Sequence, residues 1–363
     1  MTKKIIIAGG GTGGHIFPAI AIANALIRLQ PDTELLFVGA RGKMEMEKIP
    51  QAGYKIACID IAGFNRSSLI KNVGLPFKLL RSFIQVRGIV NSFRPDAAIG
   101  VGGYSSFPVL RYAQAKGIPT FIHESNSFAG KSNILLGKKA VKIFTATPGM
   151  ERFFPGDKIM VTGNPVRQDI VNSRISREEA IRFFNLDPAV KTILSLGGSL
   201  GAKSINEAID SQIGAFESNH LQLIWQTGRL YADKAARSCA GRKNIWTGDF
   251  INRMEYAFSA ADLVISRSGA MSVAELSVAG KPVIFVPFPF AAEDHQTANA
   301  KTMVDQNAGV LIRDEETSQK LVSAVIALSK DQTRLEELGK NISRLAVTGA
   351  DKAIAQEILH IIN

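Results

Sequence analysis

Gly9-Gly10-Gly11-Thr12-Gly13-Gly14 runs directly into His15, so a flexible loop ends on a side chain able to take a proton near neutral pH. Gly100-Val101-Gly102-Gly103 and Gly197-Gly198-Ser199-Leu200-Gly201 are two more clusters of the same kind. Glycine lets a bulky ligand approach the backbone, and the amides opening the next helix attract negative charge. Any one cluster is equally well a tight strand-to-helix turn. Three in one chain, each after a predicted strand, point to an anionic ligand.

Other chemistries are disfavoured by what the motifs lack. The first loop fits the G-x-G-x-x-G of dinucleotide sites, but the next strand ends Val38-Gly39-Ala40-Arg41. It offers no carboxylate for a ribose, and Arg41 leaves open only a phosphorylated one. No G-x-x-x-x-G-K-[ST] occurs, which disfavours ordinary ATP or GTP hydrolysis. His123-Glu124 lacks the second histidine of a zinc-protease helix, and no Asp-x-Asp pair is present. Cys58 and Cys239 match no metal-ligand spacing or disulfide framework. No metal and no cofactor are expected.

Short runs of Ile, Val, Leu and Phe alternate with longer amphipathic stretches, the pattern of parallel α/β sheets. The runs predict strands over Lys4–Ala8, Leu35–Gly39, Ala97–Val101, Thr120–His123 and Lys142–Thr145. A second series is predicted over Thr192–Leu196, Leu221–Gln226, Asn244–Thr247, Leu263–Ser266 and Val283–Val286. Helices are predicted over Pro18–Leu29, Ser204–Glu217, Ser272–Ala279 and Gln296–Gln306. Each series opens with a strand, a glycine-rich turn and a helix. Two Rossmann-like doubly wound domains, 1–162 and 163–363, are therefore expected, with the ligand in a cleft between them. Gly163-Asn164-Pro165 marks the join, and the last helix is left free to pack back on the first domain.

The charge sits on one side of that join. Residues 1–162 hold 21 basic and 9 acidic residues, whereas 163–363 hold 22 and 23, out of a net +11. Residues 61–95 contain no Asp or Glu but carry Arg66, Lys71, Lys78, Arg81, Arg87 and Arg94 among Leu and Phe residues. A basic amphipathic stretch reads either as a face for an anionic membrane or as an ordinary helix with its apolar stripe in the core, and the absence of carboxylates over 61–95 favours an anionic membrane surface as partner. No segment reaches the length of about 20 apolar residues needed to span a bilayer. No nucleic-acid motif accompanies the charge, so nucleic acid is not expected as a partner.

Seven motifs, in order, make the sequence resemble the MurG family. They are Gly10–His15, Gly102-Gly103-Tyr104, His123–Asn126, Gly163–Arg167, Gly197–Ala202, Arg267–Ala270 with Glu275, and Asp294–Thr297. The resemblance covers about residues 3 to 310 and implies a GT-B fold of two domains. It implies an inverting N-acetylglucosaminyltransferase of peptidoglycan synthesis and cell wall biogenesis, peripheral on the cytoplasmic face of the cell inner membrane. The implied donor is UDP-GlcNAc, and the implied acceptor is the C4 hydroxyl of undecaprenyl-pyrophosphoryl-MurNAc-pentapeptide. Another UDP-sugar enzyme of the same architecture, or a nucleotide-sugar sensor, are the competing readings.

The resemblance also distributes roles. Glu275 is implied to hold the ribose, with Ala270, Met271, Ser272, Val273 and Ala274 presenting helix-terminal backbone to the nucleotide. Ser199 and its loop are implied to hold the diphosphate, Ile251 to meet the uracil through main-chain groups, and Gln296 to reach the sugar. Thr297 stands where some relatives have a second glutamine. Arg167 is a further donor contact. Thr12, Gly13, Gly14 and Asn126 are acceptor-side contacts. His15 is the first candidate for the base, since a helix N-terminus disfavours imidazolium; Glu124 is the alternative.

Overall fold

The structure, a computed structural model, describes residues 2–62, 74–198, 200–291 and 294–363. It divides into two compact units, Met1–Arg167 with Gly349–Asn363, and Gln168–Thr348. The first unit is built on β1 (Lys4–Ala8), β2 (Glu34–Ala40), β3 (Ile56–Ile59), β4 (Ala97–Gly100), β5 (Thr120–Glu124), β6 (Lys142–Thr145) and β7 (Ile159–Val161). These pair in parallel in the order β3-β2-β1-β4-β5-β6-β7. The unbroken Ile5-Ile6-Ile7 run is explained by helices on both faces of the sheet. Ile5 and Ile7 pack with Ile22 and Leu26, while Ile6 packs on the opposite side with Val109 and Leu110.

The second unit repeats the plan with β8 (Lys191–Leu196), β9 (Leu221–Gln226), β10 (Ile245–Gly248), β11 (Leu263–Ser266), β12 (Val283–Phe285) and β13 (Val310–Leu311). Their order is β10-β9-β8-β11-β12-β13, again parallel throughout. In both sheets the chain reverses direction of winding beside the first strand, between β1 and β4 and between β8 and β11. The carboxyl ends of strands at such a switch point form the ligand crevice of this fold class.

Several boundaries differ from the sequence reading. The first helix begins at Gly13, not Pro18: extended Thr12 caps it, and Pro18 sits in its second turn, forfeiting only the bond to Gly14. His15 thus lies inside the first turn. The helix expected over Ser204–Glu217 is two, Lys203–Ser211 and Gly214–Ser218, because the chain leaves helical geometry at Gln212 just before a glycine. Strands β3, β7 and β13, of four, three and two residues, fall where no strand was expected.

The division falls after Arg167 rather than at 162/163. Asn164 donates to the Ser125 carbonyl at 3.2 Å, and the Arg167 guanidinium lies 4.3 Å over the Phe17 ring, so Gly163–Arg167 belongs to the first unit. The C-terminal helix Ala350–Ile362 also belongs there. Its Ile354, Ile358 and Leu359 complete the core around Ile22 and Leu26. Asp351 pairs with Arg28, Glu357 pairs with Lys142, and the Ile362 carbonyl accepts from Lys3.

Candidate active site

In the first unit the loops after β1 and β4 interlock at the switch point. Gly10 donates to the Gly102 carbonyl at 3.3 Å, and a Cβ on Gly103 would stand 2.3 Å from the Gly10 oxygen. Only glycine tolerates that approach, and Gly103 also has φ +86°. The half-buried ring of His15 packs close to Gly102, where a Cβ would stand 2.6 Å from its Cδ2, and its Nδ1 is 3.1 Å from the Gly10 carbonyl. A carbonyl can only accept, so in the neutral ring Nδ1 carries the proton and Nε2 the lone pair. Burial pushes the imidazole pKa below the ordinary value, outweighing the Gly10 hydrogen bond and the Glu124 and Glu45 carboxylates that raise it. The ring is therefore neutral and basic near pH 7.

Glu45 was not anticipated from the sequence. It opens a short helix, Glu45–Gln51, and its side chain turns back under the glycine loop, 1% exposed. One carboxylate oxygen accepts from the Gly11 amide at 2.8 Å and the other from the Ala40 amide at 3.0 Å. The carboxylate missing from the end of β2 is thus supplied by a residue further on. It faces inward and occupies the amide that a pyrophosphate would need, while Arg41 is paired with Asp60 at 2.7 Å. Both features oppose a phosphorylated dinucleotide at this loop. The sequence signal was Gly39: a Cβ there would stand 2.5 Å from the Glu45 Cγ.

The alternative base, Glu124, is built for another task. Its oxygens accept from the Asn126 amide and side chain at 3.1 and 3.2 Å, from the Gly130 amide at 3.1 Å and from Asn133 at 2.8 Å. Four donors fill the four lone-pair positions of a carboxylate, so Glu124 shapes the loop after β5 and has none left for a proton in flight. Asn126 is held by this carboxylate rather than projecting alone. His123, before it, is 1% exposed, and burial drives its pKa down to about 4. Thr12 is exposed at the helix start, beside half-buried Gly13 and Gly14.

In the second unit the corresponding loops follow β8 and β11. Gly197 and Gly198 follow β8, and Gly201 is so close to the loop after β9 that its Cβ would lie 2.2 Å from the Thr227 carbonyl. Ser199 lies outside the described residues. Gln226, buried at the end of β9, donates to the Gly198 carbonyl at 3.0 Å and accepts from the Ile251 amide at 2.9 Å. One amide side chain thereby ties the glycine loop to the Ile251 segment, another link the sequence did not reveal. Ile251 itself is buried.

Beyond β11, Arg267 holds the loops together by donating to the Val286 and Pro287 carbonyls at 3.0 and 3.1 Å and pairing with Asp314. Gly269 then opens the helix Ala270–Ala279 in extended conformation. The first-turn amides of Ala270, Met271 and Ser272 point out of the helix end. Val273, Ala274 and Glu275 follow, half-buried like Ser272. Gln296, in the helix His295–Val304, accepts from the Phe288 amide at 3.0 Å, and Thr297 donates to Asp294 at 2.6 Å. Among the described residues no group of three or more His, Cys, Asp or Glu side chains could hold a metal ion.

Two parallel doubly wound units, each with glycine loops at its switch point, define the GT-B architecture. Residues 5–145 match the glycosyltransferase family 28 N-terminal domain, and residues 192–356 match its C-terminal domain. The chain is 49% identical over 362 residues to the UDP-N-acetylglucosamine--N-acetylmuramyl-(pentapeptide) pyrophosphoryl-undecaprenol N-acetylglucosamine transferase of Parabacteroides distasonis, covering 99% of this chain and 98% of that one. Identity to the enzyme of that name from Phocaeicola vulgatus is 50% over 361 residues, covering 99% and 96%. The crystal structure of Acinetobacter baumannii MurG is similar at a TM-score of 0.73 and 30% identity, covering 99% of both chains. The chain belongs to the MurG family. A UDP-GlcNAc 2-epimerase from Neisseria meningitidis shares the fold alone, at a TM-score of 0.67, 15% identity and coverage of 99% and 100%.

Proposed function

We propose that this chain is an inverting glycosyltransferase moving N-acetylglucosamine from UDP-GlcNAc to the C4 hydroxyl of undecaprenyl-pyrophosphoryl-MurNAc-pentapeptide. One observation carries the reading: relatives 49 and 50% identical along nearly their full length bear the name of that transferase. The geometry supplies a mechanism. His15 Nε2 takes the proton from the acceptor hydroxyl as its oxygen attacks the anomeric carbon, and the bond from that carbon to UDP breaks. One displacement at one carbon inverts the α linkage of the donor to β. The charge left on UDP is met by amides of the Gly197–Gly201 loop, with Ser199, and of the Ala270–Ala279 helix start, in place of a metal.

Glu275 takes the ribose hydroxyls, and its carboxylate accepts from both. The uracil N3–H is a donor and is assigned to the Ile251 carbonyl, while the Ile251 amide stays engaged by Gln226. Gln296 reads the sugar hydroxyls, steadied by its bond from Phe288. Thr12, Gly13, Gly14 and Asn126 contact the acceptor, and Arg167, stacked on Phe17, reaches the donor. Glu124 positions Asn126 and is not the base.

No helix among the described residues is long and apolar enough to cross a membrane. Attachment to the cytoplasmic face of the inner membrane is assigned to the helix Leu75–Phe93. Its Phe77 is 77% exposed, with Leu80 and Ile84 exposed on the same side beside Lys78, Arg81 and Arg87. The inner side of the helix is Ser82, Val86 and Val90. The stripe therefore splits, part against the core and part outward. Arg66 and Lys71 lie outside the described residues.

Product analysis after mixing UDP-GlcNAc with a short-chain lipid I analogue tests the function. A β-1,4 disaccharide on the lipid supports it. Free sugar, epimerised UDP-sugar or unchanged lipid overturns it.

A further inference from the structure

Glu45 and His15 do not touch, yet they meet the same peptide group. The Gly11 N–H that Glu45 accepts at 2.8 Å and the Gly10 carbonyl that faces His15 Nδ1 at 3.1 Å are two ends of one amide plane. We infer that Glu45 is a positioning residue for the transfer, acting through the Gly10–Gly11 peptide to keep His15 in the tautomer whose Nε2 is unprotonated. The inference rests on the reading of His15 as the base.

The physical argument is one of alternatives. Gly10 and Gly11 have φ of +150° and +88° and no side chain to hinder rotation of the plane between them. Turned over, that plane would present its N–H to His15. Nδ1 would then have to accept, the proton would move to Nε2, and Nε2 could no longer take one from an acceptor hydroxyl. The Glu45 carboxylate selects against this state, since the flipped peptide would point its carbonyl at a buried anion. The second bond, from Ala40, fixes the carboxylate from the far side. Space is kept for it by two glycines: a Cβ on Gly10 would lie 2.3 Å from the Glu45 carboxyl, and one on Gly39 would lie 2.5 Å from its Cγ.

The test uses the full chain labelled with 15N-histidine; it has five histidines, and His15→Ala identifies the His15 signals. Long-range proton–nitrogen correlation spectra at neutral pH report which ring nitrogen carries the proton. The wild-type protein is expected in the Nδ1–H tautomer. In Glu45→Gln an NH2 donor replaces one of the two accepting oxygens and opposes an N–H, so the hold on the Gly10–Gly11 peptide weakens and both tautomers of His15 are expected. Turnover should fall at least about tenfold while the KM for UDP-GlcNAc stays within about twofold. Glu45→Asp, which keeps the charge but retracts it by one methylene, should change in the same direction by less. An Nε2–H tautomer in the wild-type protein, or an unaltered tautomer in a folded Glu45→Gln, overturns the inference. Should neither variant fold, the wild-type tautomer decides. Intact turnover in His15→Ala would instead remove the base reading and leave the tautomer result standing, so the two failures are separable.

Discussion

Arg28 and Asp351 stand 323 positions apart and meet at 2.7 Å, with the carboxylate 2% exposed and the arginine half in solvent. This pair fastens the first turn of the C-terminal helix to the end of the first helix of the same unit. Asp351→Ala is expected to lower stability by about 1–2 kcal/mol, less than a fully buried pair because one partner is exposed. Thermal unfolding should move accordingly. Turnover per folded molecule should not change.

Gln226 links the Gly198 carbonyl to the Ile251 amide, so its loss should loosen the donor side alone. Gln226→Leu leaves two buried groups without partners, and about 1–3 kcal/mol of UDP affinity should disappear. Calorimetric titration with UDP checks this. An unchanged dissociation constant would detach Gln226 from the donor site.

His15→Ala should reduce turnover by about 10²- to 10⁴-fold, the range of general base catalysis, with UDP-GlcNAc binding preserved. The wild-type pH profile offers a second check. Because burial holds the His15 pKa below its ordinary value, the acid limb of kcat/KM should lie below about pH 6.5. An acid limb above that value would contradict the neutral ring.

His123 gives a stability signature of its own. Its pKa is about 4 in the folded chain against 6.5 for the free side chain, so the unfolded state binds the extra proton first. Stability should be complete above pH 6.5 and fall as the pH drops toward 4, by on the order of 3 kcal/mol from this residue. Denaturant titrations at pH 7 and pH 5 measure the slope, and His123→Gln should flatten it.

Membrane attachment is testable without touching the chemistry. Replacing Phe77 and Ile84 together by Ser removes outward apolar surface and should weaken sedimentation with anionic liposomes by about tenfold or more. Stability should be nearly unaffected, because both side chains are exposed. Binding by the wild-type protein should also weaken as salt is raised. Equal sedimentation of the variant and wild-type protein would move the attachment site elsewhere.

The strands at the middle of each sheet were legible because burial on both faces forces unbroken apolar runs, as in Ile5-Ile6-Ile7 and Leu263–Ile265. The short edge strands were not, since β7 and β13 are too brief to establish a period. The glycine loops announced themselves through composition, and His15 through its place at the end of one. Glu45 escaped for a physical reason: it acts across 34 positions, and its only local trace is the smallness of Gly39. Gln226 escaped similarly, inside a strand where its polar side chain looks like ordinary alternation. The four donors of Glu124 were likewise hidden, because they come from the loop and helix that follow, with nothing in the local pattern to mark them.

The return of the last helix to the first sheet has a bearing on biogenesis. As the nascent polypeptide leaves the ribosome, residues 168–348 emerge whole, whereas the lobe begun earlier still lacks Ile354, Ile358 and Leu359 from its interior. The later-made lobe can thus close first, and the earlier one waits with an apolar groove open until Ala350–Ile362 has been made.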